Sequence, residues 1–149
     1  MSVIADTCVW TVYLNQSRSN RPESVSLLDR LVKANEVIYI PGLVYQEVLQ
    51  GIKSPAVRDE VAQALQQFYW LDATADHFRE APELYCMAKS KGFSIGTIDC
   101  LIAAQCIATG SYLLTDDKDF DGLVKCSKLK LLPRISPHYS YFLAAGSRV

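Results

Sequence analysis

Short β-prone runs alternate with helical patterns along almost the whole chain, and this alternation limits the fold more than any other feature. Ser2-Val3-Ile4-Ala5 reads as a strand that stops at Asp6-Thr7, after which Val9, Trp10, Val12, Tyr13 and Leu14 recur at helical spacing. The polar, basic stretch from Asn15 to Arg21 reads as an exposed loop, and Pro22 suits the start of a helix over about Glu23 to Ala34. Val37 to Ile40 predicts a second strand, followed by a helix from Leu43 to about Ile52. Ala56 to Phe68 is helical again and leads into a short strand at Tyr69-Trp70-Leu71. A helix from Ala75 to Lys91 ends at Gly92, and another from Gly96 to Thr109 is closed by Gly110. Ser111 to Thr115 and Lys130 to Leu132 supply two more strands.

Strands separated by helices form βαβ units, because parallel neighbours need a crossover and the crossover covers a face of the sheet. The expected class is therefore α/β, a three-layer α/β/α arrangement around a mainly parallel sheet of about five strands. With 149 residues, half of them apolar or aromatic, the chain suits one domain with one core, expected over residues 1–133. Residues 134–149 fall outside the pattern. Their aromatic run His138-Tyr139-Ser140-Tyr141-Phe142-Leu143 is expected to pack on the domain or at an interface.

Five scattered cysteines with no CxxC pair argue against a disulfide framework and a zinc knuckle, and fit a reducing compartment. The first residues lack the basic segment of a secretory leader and carry Asp6 within the apolar run. The longest apolar stretch, Ile98 to Leu114, is interrupted by Asp99, Gln105, Thr109 and Gly110, so no membrane span and a cytoplasmic location are expected. A formal charge of −1 excludes a protein that holds nucleic acid by bulk positive charge.

Ligand sites of open parallel sheets lie beyond the carboxyl ends of the strands. Asp6 follows the first strand directly, and Asp117 lies just past the strand ending at Thr115. Asp99 opens an otherwise apolar helix and shares a stripe with Ile102, Ala103 and Cys106, so its carboxylate needs a partner. Glu47 sits at the rim of the apolar sector formed by Val44, Tyr45, Val48, Leu49 and Ile52. Each acid has a plain alternative: a helix cap for Asp6, a first-turn charge for Asp99, a turn for Asp117, a solvated helix position for Glu47. Four carboxylates at one edge, however, repel one another unless a divalent cation joins them. Oxygen-only ligands favour Mg²⁺ or Mn²⁺ over zinc, and such a site is suited to attack of water on a phosphodiester. Neither His77 nor His138 is placed to make a cysteine nucleophilic, and Cys8, Cys100 and Cys106 read as small core residues.

Four segments together resemble a PIN-domain ribonuclease, most of all the VapC-type toxin of a VapBC toxin–antitoxin system. They are Val3-Ile4-Ala5-Asp6-Thr7-Cys8-Val9-Trp10, Pro41 to Gly51, Gly96 to Ala104, and Leu113-Leu114-Thr115-Asp116-Asp117-Lys118-Asp119-Phe120. The resemblance implies an acidic pocket of Asp6, Glu47, Asp99 and Asp117, with Asp6 and Asp99 in direct contact with Mg²⁺ or Mn²⁺, and Thr7 and Thr115 in support. Asp116 and Asp119 stand close enough to Asp117 to share its role. It also implies an RNA substrate, often a transfer RNA, a cognate antitoxin and a homodimer. Arg18, Arg21 and Lys118 are the candidate phosphate contacts, with ordinary surface charge as the alternative. Setting the four acids aside turns the net charge of −1 into +3, a mildly basic body around an acidic hole. The competing reading is a catalytically inactive PIN-like module that binds RNA or protein.

Overall fold

A computed structural model describes residues 1–15, 17 and 19–132. All five expected strands form: β1 (Ser2–Ala5), β2 (Val37–Pro41), β3 (Tyr69–Leu71), β4 (Tyr112–Leu114) and β5 (Lys130–Leu131). They make one sheet in the order β3-β2-β1-β4-β5. Every neighbouring pair is parallel, so the sheet is wholly rather than mainly parallel. The helices among the described residues are α1 (Thr7–Leu14), α2 (Glu23–Lys33), α3 (Gly42–Gln50), α4 (Pro55–Leu65), α5 (Ala75–Ser90), α6 (Thr97–Thr109) and α7 (Phe120–Cys126). Six were expected from periodicity. Helix α7 was not: it has seven residues, too few for a periodic pattern to stand out. Residues 134–149, with the aromatic run, lie outside the described residues.

The strand order follows from the crossovers. Connections from β1 to β2 and from β2 to β3 run one way across the sheet, and those from β3 to β4 and from β4 to β5 run the other. Right-handed crossovers then put α1 to α4 on one face and α5 to α7 on the other, a three-layer α/β/α arrangement. The order reverses between β1 and β4, which are direct neighbours. A crevice opens at such a switch point, beyond the carboxyl ends of the two strands.

Burial explains the helices. Cys100 through Cys106 of α6 are all buried, as expected for a helix that is apolar on every side. Gly110 ends it in the left-handed region at φ 66°, a conformation that costs glycine nothing, and its N–H caps the carbonyls of Cys106 and Ile107. Helix α2 instead buries one stripe, Ser24, Leu27, Leu28 and Leu31, at i, i+3, i+4 and i+7, together with Val25. Ser24 is the polar exception on that stripe.

Candidate active site

Asp6 is mounted on the sheet. Its backbone N–H donates to the Leu114 carbonyl at 2.9 Å, carrying the β1–β4 ladder one residue beyond β1 and fixing the residue at the carboxyl end of the sheet. Asp6 does cap α1, accepting from the Thr7 N–H at 2.7 Å, but its other oxygen has further partners. Oδ2 accepts from the Thr115 hydroxyl at 2.8 Å and from the Cys8 thiol at 3.5 Å. Asp6 is 6% exposed and Thr115 2%. Burial raises the Asp6 pKa above its ordinary value, the charge of Asp117 adds to the rise, and hydrogen bonds from Thr115, Thr7 and Cys8 oppose it.

Asp99 enters from the first turn of α6. It is half-buried rather than fully enclosed, although Ile102, Ala103 and Cys106 on the same stripe are buried. The carboxylate folds back onto the Gly96 N–H. A Cβ on Gly96 would lie 2.9 Å from Asp99 Oδ2, so glycine leaves the space that this contact occupies. Burial first, then the charges of Asp6, Asp117 and Asp119, push the Asp99 carboxyl up to about 6. Four carboxylates thus share one electrostatic neighbourhood.

Glu47, half-buried on α3, joins them through Thr7: the Thr7 hydroxyl donates to Glu47 Oε2 at 2.6 Å, one residue from Asp6. Asp117 is exposed on the loop after β4. Its N–H donates to Thr115 Oγ1 at 3.0 Å, and its Oδ1 accepts from the Asp119 N–H at 2.9 Å. Asp116 turns the other way and accepts from the Ser24 hydroxyl at 2.6 Å. Of the two possible substitutes for Asp117, Asp119 therefore faces the acids and Asp116 reaches α2.

Among the described residues, no three His, Cys, Asp or Glu side chains stand close enough together to hold a metal ion as they are. The donor set nevertheless suits a hard divalent cation. It consists of carboxylate and hydroxyl oxygens, and the Asp99 carboxyl, raised by burial first, is raised further by the charges of Asp6, Asp117 and Asp119, which such an ion would offset.

Residues 3–125 match the family described as PIN domain. The chain belongs to the PIN domain family. No curated protein matches its sequence. The fold is similar to that in the crystal structure of VapBC2 from Rickettsia felis bound to a DNA fragment from their promoter: 24% identity, 89% of this chain and 98% of that one, TM-score 0.71. A toxin–antitoxin complex from Klebsiella pneumoniae gives 19% identity, 90% and 98% coverage, and a TM-score of 0.69. VapC20 of Mycobacterium tuberculosis, a sarcin-ricin loop cleaving toxin, gives 17% identity, 80% and 92% coverage, and a TM-score of 0.61.

The remaining candidates of this PIN domain lie on several different elements. Arg21 is exposed, and its Nη2 donates to the Tyr13 carbonyl at 2.9 Å, which fixes one edge of the guanidinium. Lys118 is exposed between Asp117 and Asp119. Arg18 lies outside the described residues, as does His138. His77 caps α5, its Nδ1 accepting from the Thr74 N–H at 3.0 Å. Cys100 and Cys106 are buried, as expected. Cys8 is partly buried: it packs against the core, as expected, and also touches the site, donating to Asp6 Oδ2 and lying 3.7 Å from Thr115 Oγ1. Burial and the Asp6 charge raise its thiol pKa, so it stands there as a neutral thiol. The signal for Cys8 was its place two residues after Asp6. For Ser24 it was a hydroxyl on an apolar stripe.

The raised Asp99 pKa gives a pH dependence of definite sign. Between the ordinary 3.8 and about 6, folded metal-free protein keeps a proton that the unfolded chain has lost, so this group's contribution to stability falls as pH rises through that window. In urea unfolding of metal-free protein, the advantage of Asp99→Asn over wild type is expected to grow from pH 4 to about 6.5 and then level off. A difference independent of pH would refute the assignment. Mn²⁺ affinity should rise over the same window, because cation and proton compete for the carboxylate.

Proposed function

We propose that this PIN domain is an Mg²⁺- or Mn²⁺-dependent endoribonuclease and the toxin of a toxin–antitoxin pair. The observation that supports the reading is the electrostatic coupling of Asp99 to Asp6 and Asp117, with Asp99 raised to about 6 by burial first and then by these charges. Family membership supports a nuclease, since PIN domains are generally nucleases. A fold neighbour described as a sarcin-ricin loop cleaving toxin supports RNA as substrate, and fold neighbours that are toxin–antitoxin complexes support a cognate antitoxin.

Asp6 and Asp99 would hold the cation, with Glu47 and Asp117 completing the donor set. A bound divalent ion supplies an acidified water and charge stabilisation at the phosphodiester. The chain's own part is to orient these acids. Thr115 holds one Asp6 oxygen, Thr7 holds Glu47, and the Gly96 N–H holds Asp99. Arg21 and Lys118, with Arg18, are the proposed phosphate contacts, their charge opposing the acidic hole.

A homodimer is part of the proposal. The apolar groove that Leu43, Phe78, Tyr85, Ile98 and Leu101 line, about 400 Å³ in volume, is a surface a second copy can cover. Among the described residues no helix is long and apolar enough to cross a membrane, and all five cysteines are free, which supports the cytoplasm as the site of action.

Sequencing of RNA 5′ ends after induction of wild type and of Asp6→Asn tests activity and residue role together. New ends are expected at defined positions in wild type and absent in the variant. RNA binding with no new ends in either strain would favour the catalytically inactive binding module, the reading suited by carboxylates that do not close on a cation.

A further inference from the structure

The loop between β4 and α7 has one acid that does not face the crevice. Asp116 accepts from the Ser24 hydroxyl at 2.6 Å across 92 residues of sequence. Ser24 is 4% exposed, on the buried face of α2 and in its first turn. The N-cap residue of α2, Pro22, makes no side-chain cap, and the Asp116 carboxylate joins Glu23 in bringing negative charge to the positive end of this helix. On either side of Asp116 the loop is tied to the site. Thr115 donates to Asp6 Oδ2 at 2.8 Å and accepts from the Asp117 N–H at 3.0 Å, and the Asp119 N–H donates to Asp117 Oδ1 at 2.9 Å.

Like charges on Asp6, Asp99, Asp117 and Asp119 favour motion of this exposed loop away from the other two acids. The Ser24–Asp116 contact resists that motion, because it anchors the middle of the loop to a helix packed in the core. We propose that Ser24 is a positioning residue: by holding Asp116 against α2 it keeps Asp117 and Asp119 turned toward Asp6 and Asp99, and so sets the affinity of the acidic site for its divalent cation. The inference rests on the metal-dependent reading above and adds to it a determinant outside the four acids. It also links the basic α1–α2 loop, which leads into Ser24 through Arg21 and Pro22, to the acidic loop.

The test uses the full chain and Mn²⁺ alone, with free Mn²⁺ followed by electron paramagnetic resonance and amide exchange read at Asp117 and Asp119. Ser24→Ala and Asp116→Ala are each expected to weaken Mn²⁺ binding about 10-fold, the scale of losing a group that orients a metal ligand, and to speed exchange at both amides. The double variant should be no weaker than either single one, because both remove the same contact. Asp116→Asn, which keeps an oxygen for the Ser24 hydroxyl, should stay within about threefold of wild type, a rescue that a general loss of folding would not show. Asp116 is exposed, so its variants keep the test decisive should Ser24→Ala disturb the core. Saturable Mn²⁺ binding by wild type with unchanged affinity in Ser24→Ala and Asp116→Ala overturns the role of Ser24 alone, as do additive losses in the double variant. No saturable binding by wild type overturns the metal-dependent reading and this inference together.

Discussion

Purified protein carrying Asp6→Asn or Asp99→Asn is expected to lose Mn²⁺-dependent RNA cleavage by about 10³-fold or more. The size follows from what the change removes. An amide is isosteric with the carboxylate, so Asp6→Asn can still accept from the Thr7 N–H, and the Thr115 hydroxyl can rotate to suit the new group. Asp99→Asn can still accept from the Gly96 N–H. What disappears is a full negative charge at the place where a cation must be held, and that loss acts on every step that depends on the ion. Glu47→Gln and Asp117→Asn should cost less, about 10- to 100-fold, because one acid is tied back through Thr7 and the other is exposed at the rim. Cleavage of end-labelled RNA, with circular dichroism as the folding control, measures the series. An Asp99→Asn protein that cut at the wild-type rate would remove Asp99 from the machinery.

The second large effect is thermal. Mn²⁺ at a hundredfold excess over its Kd is expected to stabilise wild type by about 2.7 kcal/mol, roughly 5–10 °C in Tm for a chain of this size. Asp99→Asn should lose that response and yet start from a higher Tm without metal. In the metal-free fold the rise of Asp99 to about 6 is a penalty carried at neutral pH, at most about 3 kcal/mol and about 1–2 kcal/mol once solvent screening of a half-buried group is allowed for. Two scans, with and without Mn²⁺, separate the roles. A variant that is markedly less stable without metal would make Asp99 a structural residue.

Much of this arrangement could be read from residues in order. A parallel sheet brings every post-strand loop to one edge, so Asp6 and Asp117 were locatable from two strand ends, and Asp99 from being the one charge on an apolar helix. Periodicity placed Asp99 on an apolar stripe but did not show that it is only half-buried, because it assigns a face and not a depth. Helix α7 was too short to show a period. Cys8 reads as a small core residue because no histidine is placed to activate it; that it also touches Asp6 depends on the backbone at Asp6, which sets side-chain direction in the first turn of α1. The Ser24–Asp116 pair joins residues 92 positions apart, a distance at which no local pattern speaks.

The hydrogen bond from the Asp6 N–H to Leu114 gives the two halves of the site unequal stiffness. One acid is built into the seam between two central strands, and its partners Asp117 and Asp119 ride on solvent-exposed backbone. In the proposed metal site, the acid on the β1–β4 seam is therefore the fixed element and the acids on the exposed loop are the adaptable ones. Sequence changes at the exposed positions 116–119 should retune the proposed metal site and turnover with little effect on the fold, whereas changes along the β1–β4 seam should alter stability and activity together.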